Sequence, residues 1–117
     1  MLEKFDADRY YIVLGYTDLR LGINGLANLV QSQYQLDPFT KSMFLFCGRK
    51  ADRYKALYWD KDGFVLLYKR LEKGRYQWPR TAQEVQELSL QQLRWLMEGL
   101  SIYQPRAHKP VESLKYV

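Results

Sequence analysis

Residues 43–47 (MFLFC), 54–59 (YKALYW) and 64–69 (FVLLYK) are three short runs of aliphatic and aromatic side chains, set apart by polar connections. Runs of this length, rich in strand formers and bounded by turn residues, predict strands. Asp60-Lys61-Asp62-Gly63 predicts a tight turn, with glycine where a positive φ is cheapest. The block therefore reads as a β-meander. In the third run Phe64, Leu66 and Tyr68 oppose Val65, Leu67 and Lys69, so both faces are largely apolar. That pattern fits a central strand covered on both sides. Residues 70–74 (RLEKG) turn again, and residues 75–78 predict a short fourth strand that Pro79 stops.

Residues 10–15 (YYIVLG) predict one more strand. Behind it, Thr17 and Asp18 offer helix N-cap oxygens, and Leu19, Ile23, Leu26, Ala27, Val30 and Tyr34 recur at helical spacing. Gly22 and Gly25 within that stripe would let the first turn approach another backbone closely. Asp37-Pro38 ends the helix. Thr81-x-x-Glu84 opens a short helix, or residues 85–88 make a small strand; periodicity does not decide. Ser89-Leu90-Gln91-Gln92 is a capping box, Leu90, Leu93, Leu96, Met97 and Leu100 form the apolar face that follows, and Gly99 is the stop. The expected fold is α+β: a small antiparallel β-meander of three to five strands packed against two main helices. One domain is expected over residues 1–117, with a partly irregular tail from about residue 101 that is ordered only where it docks.

A chain of 117 residues can bury one real core without disulfides or structural metals. Cys47 is the only cysteine and His108 the only histidine, which excludes an internal disulfide, a zinc-binding cysteine cluster and a multi-histidine metal site. No apolar stretch approaches the length of a membrane helix, and residues 1–10 lack the pattern of a secretory leader. A reducing cytoplasm is the expected address, with no membrane partner. Asp60 and Asp62 read as turn residues rather than a metal pair, since Gly63 follows and a distal glutamate is missing. Asp18 with Arg20 reads as an N-cap beside a surface cation, Cys47 as packing at a strand end, and His108 as a solvated tail residue. No serine stands in a nucleophile elbow and no glycine-rich loop has phosphate-cradling spacing. No catalytic residue, metal or cofactor is expected.

Charge is the remaining signal. Residues 49–80 hold ten basic and four acidic side chains, whereas the rest of the chain holds eight basic and nine acidic. The whole net charge of +5 thus originates in the middle third. The connections at 48–53 and 70–74 flank an even number of strands, so they fall at one end of the sheet, and 60–63 falls at the other. Cations on that rim can neutralise phosphates and release counterions. Candidate nucleic-acid contacts are Arg49, Lys50, Arg53, Lys55, Lys69, Arg70, Lys73, Arg75 and Arg80. Tyr54, Tyr68, Tyr76 and Trp78 are candidate base-stacking groups or partner anchors, or else core.

Several motifs together carry a family resemblance. Residues 15–26 (GYTDLRLGINGL) are followed by Asp37-Pro38-Phe39, residues 44–46 (FLF), Arg49, Asp52-Arg53, Lys55, residues 57–60 (LYWD), Asp62-Gly63-Phe64, residues 68–74 (YKRLEKG) and Trp78-Pro79. In that order they resemble the small TnpB accessory proteins of the insertion sequence sixty-six (IS sixty-six) family of bacterial transposable elements. These are unrelated to the RNA-guided nuclease that shares the letters TnpB. Leu19, Leu21 and Asn24 depart from the usual methionine, basic residue and aspartate of the first motif. The missing cation at Leu21 takes direct phosphate contact away from that loop.

The resemblance implies a part in transposition beside a separate transposase that holds the catalytic acids, and it implies no chemistry for this subunit. The reading is a non-catalytic accessory protein that contacts DNA phosphates, at element ends or target and with little base readout, through the basic rim. The alternative is a protein-interaction module that bridges the transposase and other element-encoded proteins without touching DNA, with exposed aromatics as anchors.

Overall fold

The computed structural model describes residues 2–81 and 84–105. His108 and the tail beyond residue 105 lie outside them. A 3-10 turn at Leu2–Phe5 leads into β1 (Arg9–Val13), α1 (Ile23–Ser32), β2 (Ser42–Cys47), β3 (Arg53–Asp60), β4 (Gly63–Arg70), β5 (Val85–Leu88) and α2 (Leu90–Met97). The five strands form one sheet in the order β4-β3-β2-β1-β5.

The meander of β2, β3 and β4 is antiparallel, as the short connections require. β1 is antiparallel to β5 but parallel to β2. That one parallel pair follows from α1, which carries the chain back across the sheet before β2 begins. It also moves the sheet's centre. All six residues of β2 are buried, with β1 on one side and β3 on the other. β4, expected to be central, is instead the edge strand, and its last three residues are exposed. Its apolar residues are covered from the faces: Leu66 and Phe64 against the α1 side, Leu67 against the opposite side. Lys69 and Arg70 place charge on the open edge, a common guard against further strand pairing.

Residues 75–78 form no strand. Their backbone leaves the sheet after the turn, and the Tyr76 N–H donates to the Ala51 carbonyl at 2.7 Å. The Trp78 indole N–H donates to the Val13 carbonyl at 2.9 Å. The segment is a plug in the core, not a fourth rung of the meander. The undecided stretch at 85–88 is the strand β5.

The two faces of the sheet bury separate clusters. Leu26 and Val30 of α1 pack on Val13, Phe44, Phe46 and Leu57. On the other face Leu93 and Leu96 of α2, with Leu2, Tyr76, Trp78 and Ile102, pack on Tyr10, Ile12, Met43, Leu45, Tyr54 and Tyr58. α2 is bounded as its sequence requires. The Ser89 hydroxyl accepts from the Gln92 N–H at 3.1 Å, and the Gln92 side chain accepts from the Ser89 N–H at 3.0 Å. Gly99 takes φ +83, which lets Leu100 N–H reach the Trp95 carbonyl at 2.8 Å and close the helix.

α1 starts later than the periodicity suggests. The Asp18 carboxylate accepts from the Arg20 backbone N–H at 3.0 Å, and the Leu21 N–H reaches the Asp18 carbonyl at 3.2 Å. Those bonds close a turn, so the cap falls to Gly22, which supplies no side-chain bond. A Cβ on Gly25 would stand 2.8 Å from a methyl carbon of Leu21, so the close approach is to that side chain and not to another backbone. In the β3–β4 hairpin it is Lys61, at φ +56, that takes the positive φ expected of Gly63.

Candidate nucleic-acid interface

Arg53 at the start of β3 pairs directly with Arg70 at the end of β4. The Leu71 N–H donates to the Asp52 carbonyl at 2.6 Å, and Tyr76 N–H to Ala51 as above, so the 48–52 and 71–76 connections are bonded to each other. Asp60, Lys61 and Asp62 lie at the far end of the same hairpin. Within the first connection Ala51 N–H donates to the Gly48 carbonyl at 3.1 Å. Arg49 and Lys50 are therefore the two central residues of a β-turn, and both are exposed.

Strand periodicity then divides the cations. Leu57, Phe64 and Leu66 face α1. Arg53, Lys55, Tyr68 and Arg70 share their parity and therefore that face; Lys69, paired with Tyr54, is on the other. Lys73 is exposed on the turn after β4. Arg75 is carried away toward α2: its carbonyl lies 3.9 Å from where a Cβ on Gly99 would stand.

The face beyond the N-terminal start of α1 is a groove of about 1070 Å³. The 16–20 loop forms one wall, Gly48, Arg49 and Lys50 another, and Arg53, Lys55, Leu66 and Tyr68 complete it. The loop is tied to the sheet by Thr17 N–H donating to the Cys47 carbonyl at 2.8 Å. A side chain at Gly48 would press on Leu19 at 3.3 Å, so the glycine lets the two walls meet.

The cations are engaged to different degrees. Arg53 forms two bonds with Asp52, at 2.8 and 3.0 Å, and a longer one of 3.4 Å to the Tyr68 hydroxyl. The guanidinium holds the Asp52 carboxyl below its usual range, and Asp52 raises Arg53 in turn. The Lys55 ammonium donates to the Leu21 carbonyl at 2.9 Å and lies 5.8 Å from the centre of the Tyr68 ring. It fastens the loop to β3. Arg80 donates to the carbonyls of Gly48 at 2.9 Å and Arg49 at 3.3 Å, bracing the turn from behind. Arg49 and Arg80 both lie over the ring of Tyr16, at 4.8 and 5.2 Å. Arg70 pairs with Glu72 at 3.3 Å in solvent, where such a bridge is weak. Among the described residues no carboxylate pairs with Arg49, Lys50, Lys69, Lys73 or Arg75.

The aromatic candidates separate sharply. Tyr54, Tyr76 and Trp78 are 0%, 3% and 5% exposed, in the cluster under α2. They cannot offer a ring face to a base; their role is core packing, and burial pushes the Tyr54 phenol up to about 12. Tyr68 is 53% exposed and borders the groove.

Sequence reasoning left out Tyr16 and set Arg20 aside as a surface cation beside an N-cap. Tyr16 is 44% exposed and carries two guanidiniums. Arg20 is locked to Asp18 by bonds of 2.8 and 3.0 Å, which hold the Asp18 carboxyl down at about 2. Both lie just upstream of the charge-rich third, inside the motif at 15–26. Asp18 followed two residues later by Arg20, just ahead of Gly22, was the available sign of a turn rather than a helix.

Cys47 is fully buried, and burial pushes its thiol up to about 11. Among the described residues no three His, Cys, Asp or Glu side chains stand close enough to hold a metal, and no helix is long and apolar enough to cross a membrane. At the opposite end of the sheet Phe39, Trp59 and Phe64 form a knot of rings with centres 4.9–5.2 Å apart, and Phe39 is exposed.

Comparison with known proteins gives the chain a family. Residues 8–107 match the family described as "IS66 Orf2 like protein". The uncharacterized protein y4hO of Sinorhizobium fredii (strain NBRC 101917 / NGR234) is 35% identical over 106 residues, covering 91% of this chain and 92% of that one. The uncharacterized protein y4jC of the same strain is 35% identical over 83 residues, 71% of each chain. No solved structure matches.

Proposed function

The chain belongs to the IS66 Orf2-like family of insertion-sequence-associated accessory proteins, and from that premise we propose that it serves transposition by holding DNA backbone in its basic groove. The observation that supports this most is the Gly48–Ala51 turn. It sets Arg49 and Lys50 together in one wall of the groove, exposed and with no carboxylate partner among the described residues. Arg53, Lys55 and Arg70 add positive potential behind them on the same face. Lys69, Lys73 and Arg75 stand off the groove and serve as long-range attraction. Arg80 is a brace for the turn. The subunit contributes no chemistry; the bond-breaking steps belong to the transposase.

The test is binding to element-end and random duplex DNA across a salt series. The log–log slope is expected to be about −0.9 for each phosphate engaged. The double variant Arg49→Ala/Lys50→Ala, confined to an exposed turn, flattens it, while Lys69→Ala on the other face changes it little.

A second reading, a bridge between the transposase and other element-encoded proteins, draws on the Phe39, Trp59 and Phe64 knot, whose exposed ring suits a partner anchor. Retention of the transposase through nuclease treatment and high salt, with no DNA binding by the isolated chain, would favour it.

A further inference from the structure

The groove offers more than a duplex backbone needs. A double helix presents its phosphates on a convex rod with the bases stacked inside, and cations on a flat patch suffice to hold it. Here the exposed Arg49 and Lys50 share the groove lining with Leu19, Leu66 and the half-open Tyr68, and the one carboxylate in the lining, Asp18, is paired with Arg20. Leu19, Leu66 and Tyr68 neutralise no phosphate. A duplex resting on the two cations would leave them facing water, whereas an unpaired base has the flat apolar surface to cover them.

Tyr68 is also held ready. Its hydroxyl is 3.4 Å from Arg53 Nη1, and the Lys55 ammonium stands 5.8 Å from its ring centre. Both contacts come from β3, while more than half of the residue, on the edge strand β4, is open. An aromatic ring beside a cationic track is the arrangement by which single strands are gripped without regard to sequence. The groove volume of about 1070 Å³ slightly exceeds the roughly 300–1000 Å³ that encloses a drug-sized molecule. There is room for a base with its sugar and a flanking phosphate.

We infer that the groove takes single-stranded DNA in preference to duplex, with an unpaired base on Tyr68 and neighbouring phosphates on Arg49 and Lys50. The inference rests on the phosphate-binding reading above and adds strandedness to it. A frayed or opened strand is then the form of DNA this subunit meets.

The experiment is fluorescence anisotropy with the full chain, using a labelled oligothymidylate of about a dozen nucleotides and a duplex of equal length in the same salt series. The proteins are the natural chain, Tyr68→Ala, Tyr68→Phe and Arg49→Ala/Lys50→Ala, each checked for fold by circular dichroism. The single strand is expected to bind more tightly at every salt concentration. Tyr68→Ala weakens it by between about five- and a hundredfold, as the loss of one base–aromatic stack implies, and moves duplex binding by less than about twofold. Tyr68→Phe, which keeps the ring in its strand, retains the single-strand preference even if the alanine variant folds poorly. Equal or tighter duplex binding, or a folded Tyr68→Ala that grips the single strand as well as the natural chain, overturns the strand preference. The phosphate reading survives that result if the double alanine variant still weakens both DNAs. If neither DNA binds, the phosphate reading falls and the strand preference with it.

Discussion

Trp78→Phe separates the two roles that a tryptophan in a basic, aromatic-rich segment can play. In this fold the indole is buried beneath α2 and its N–H reaches the Val13 carbonyl near the end of β1. Phenylalanine fills most of the space but has no donor. Withdrawing one partner from a buried carbonyl costs about 1–3 kcal/mol. The smaller ring gives up some 40 Å² of apolar contact, worth about 1 kcal/mol. The expected loss is about 2–4 kcal/mol, a large part of the 5–15 kcal/mol that a domain commonly has. For a chain of 117 residues the unfolding entropy at the midpoint is about 0.25 kcal/mol per kelvin. The midpoint therefore falls by about 8–16 °C. Thermal unfolding followed by far-ultraviolet circular dichroism measures it, and a urea series gives the same free energy independently. DNA affinity measured well below the new midpoint stays unchanged, because the indole faces no ligand. An unchanged midpoint combined with weakened DNA binding would refute the assignment, for it would mean that Trp78 is a surface stacking group.

Two further outcomes follow from the titrating groups. The Asp18 carboxyl is held at about 2 against an ordinary value of 3.8, first by the hydrogen bond from the Arg20 side chain. Its folded value is depressed, so its contribution is present above pH about 4 and is lost as pH falls toward about 2; Asp18→Asn flattens the acid limb of a stability–pH profile in that window, and an unaltered limb would show that the Asp18–Arg20 pair does not persist in solution. The Cys47 thiol, buried and pushed up to about 11, is expected to resist a thiol reagent at neutral pH and to react at once in denaturant; rapid labelling of the native chain would contradict its burial between β1 and β3.

Much of the framework was legible because it is local. The meander at 43–69 and the box at Ser89 with its stop at Gly99 are fixed by residues within a few positions of one another, and they stand as read. The family, too, was readable from motifs spread along most of the chain. What was not legible depends on distant partners. Within 64–69 only Lys69 hints that β4 lies at an edge, because the neighbour that makes β2 central is β1, returned by α1. Residues 75–78 have strand-like composition, yet Tyr76 and Trp78 find acceptors and apolar neighbours in the core, and that tertiary demand overrides the local preference.

The groove was half visible. Counting charge drew attention to Arg49, Lys50 and Arg53, and the even number of strands correctly placed the two connections at one end. It could not say that Lys69 faces away or that Arg75 runs beside α2, since single-residue parity and the exit of 75–78 from the sheet decide those. Burial cannot be read from aromatic content either: Tyr54 and Tyr68 both occupy strand positions in basic surroundings, and only the layer beneath α2 buries one of them.

The central claim is that exposed cations on the Gly48–Ala51 turn hold DNA phosphates. Its most direct measurement is the slope of log affinity against log salt for the natural chain and for Arg49→Ala/Lys50→Ala. The expected result is a steep slope that becomes shallower by about 0.9 for each duplex phosphate contact removed. Identical slopes for the two proteins, with both folded, would contradict it.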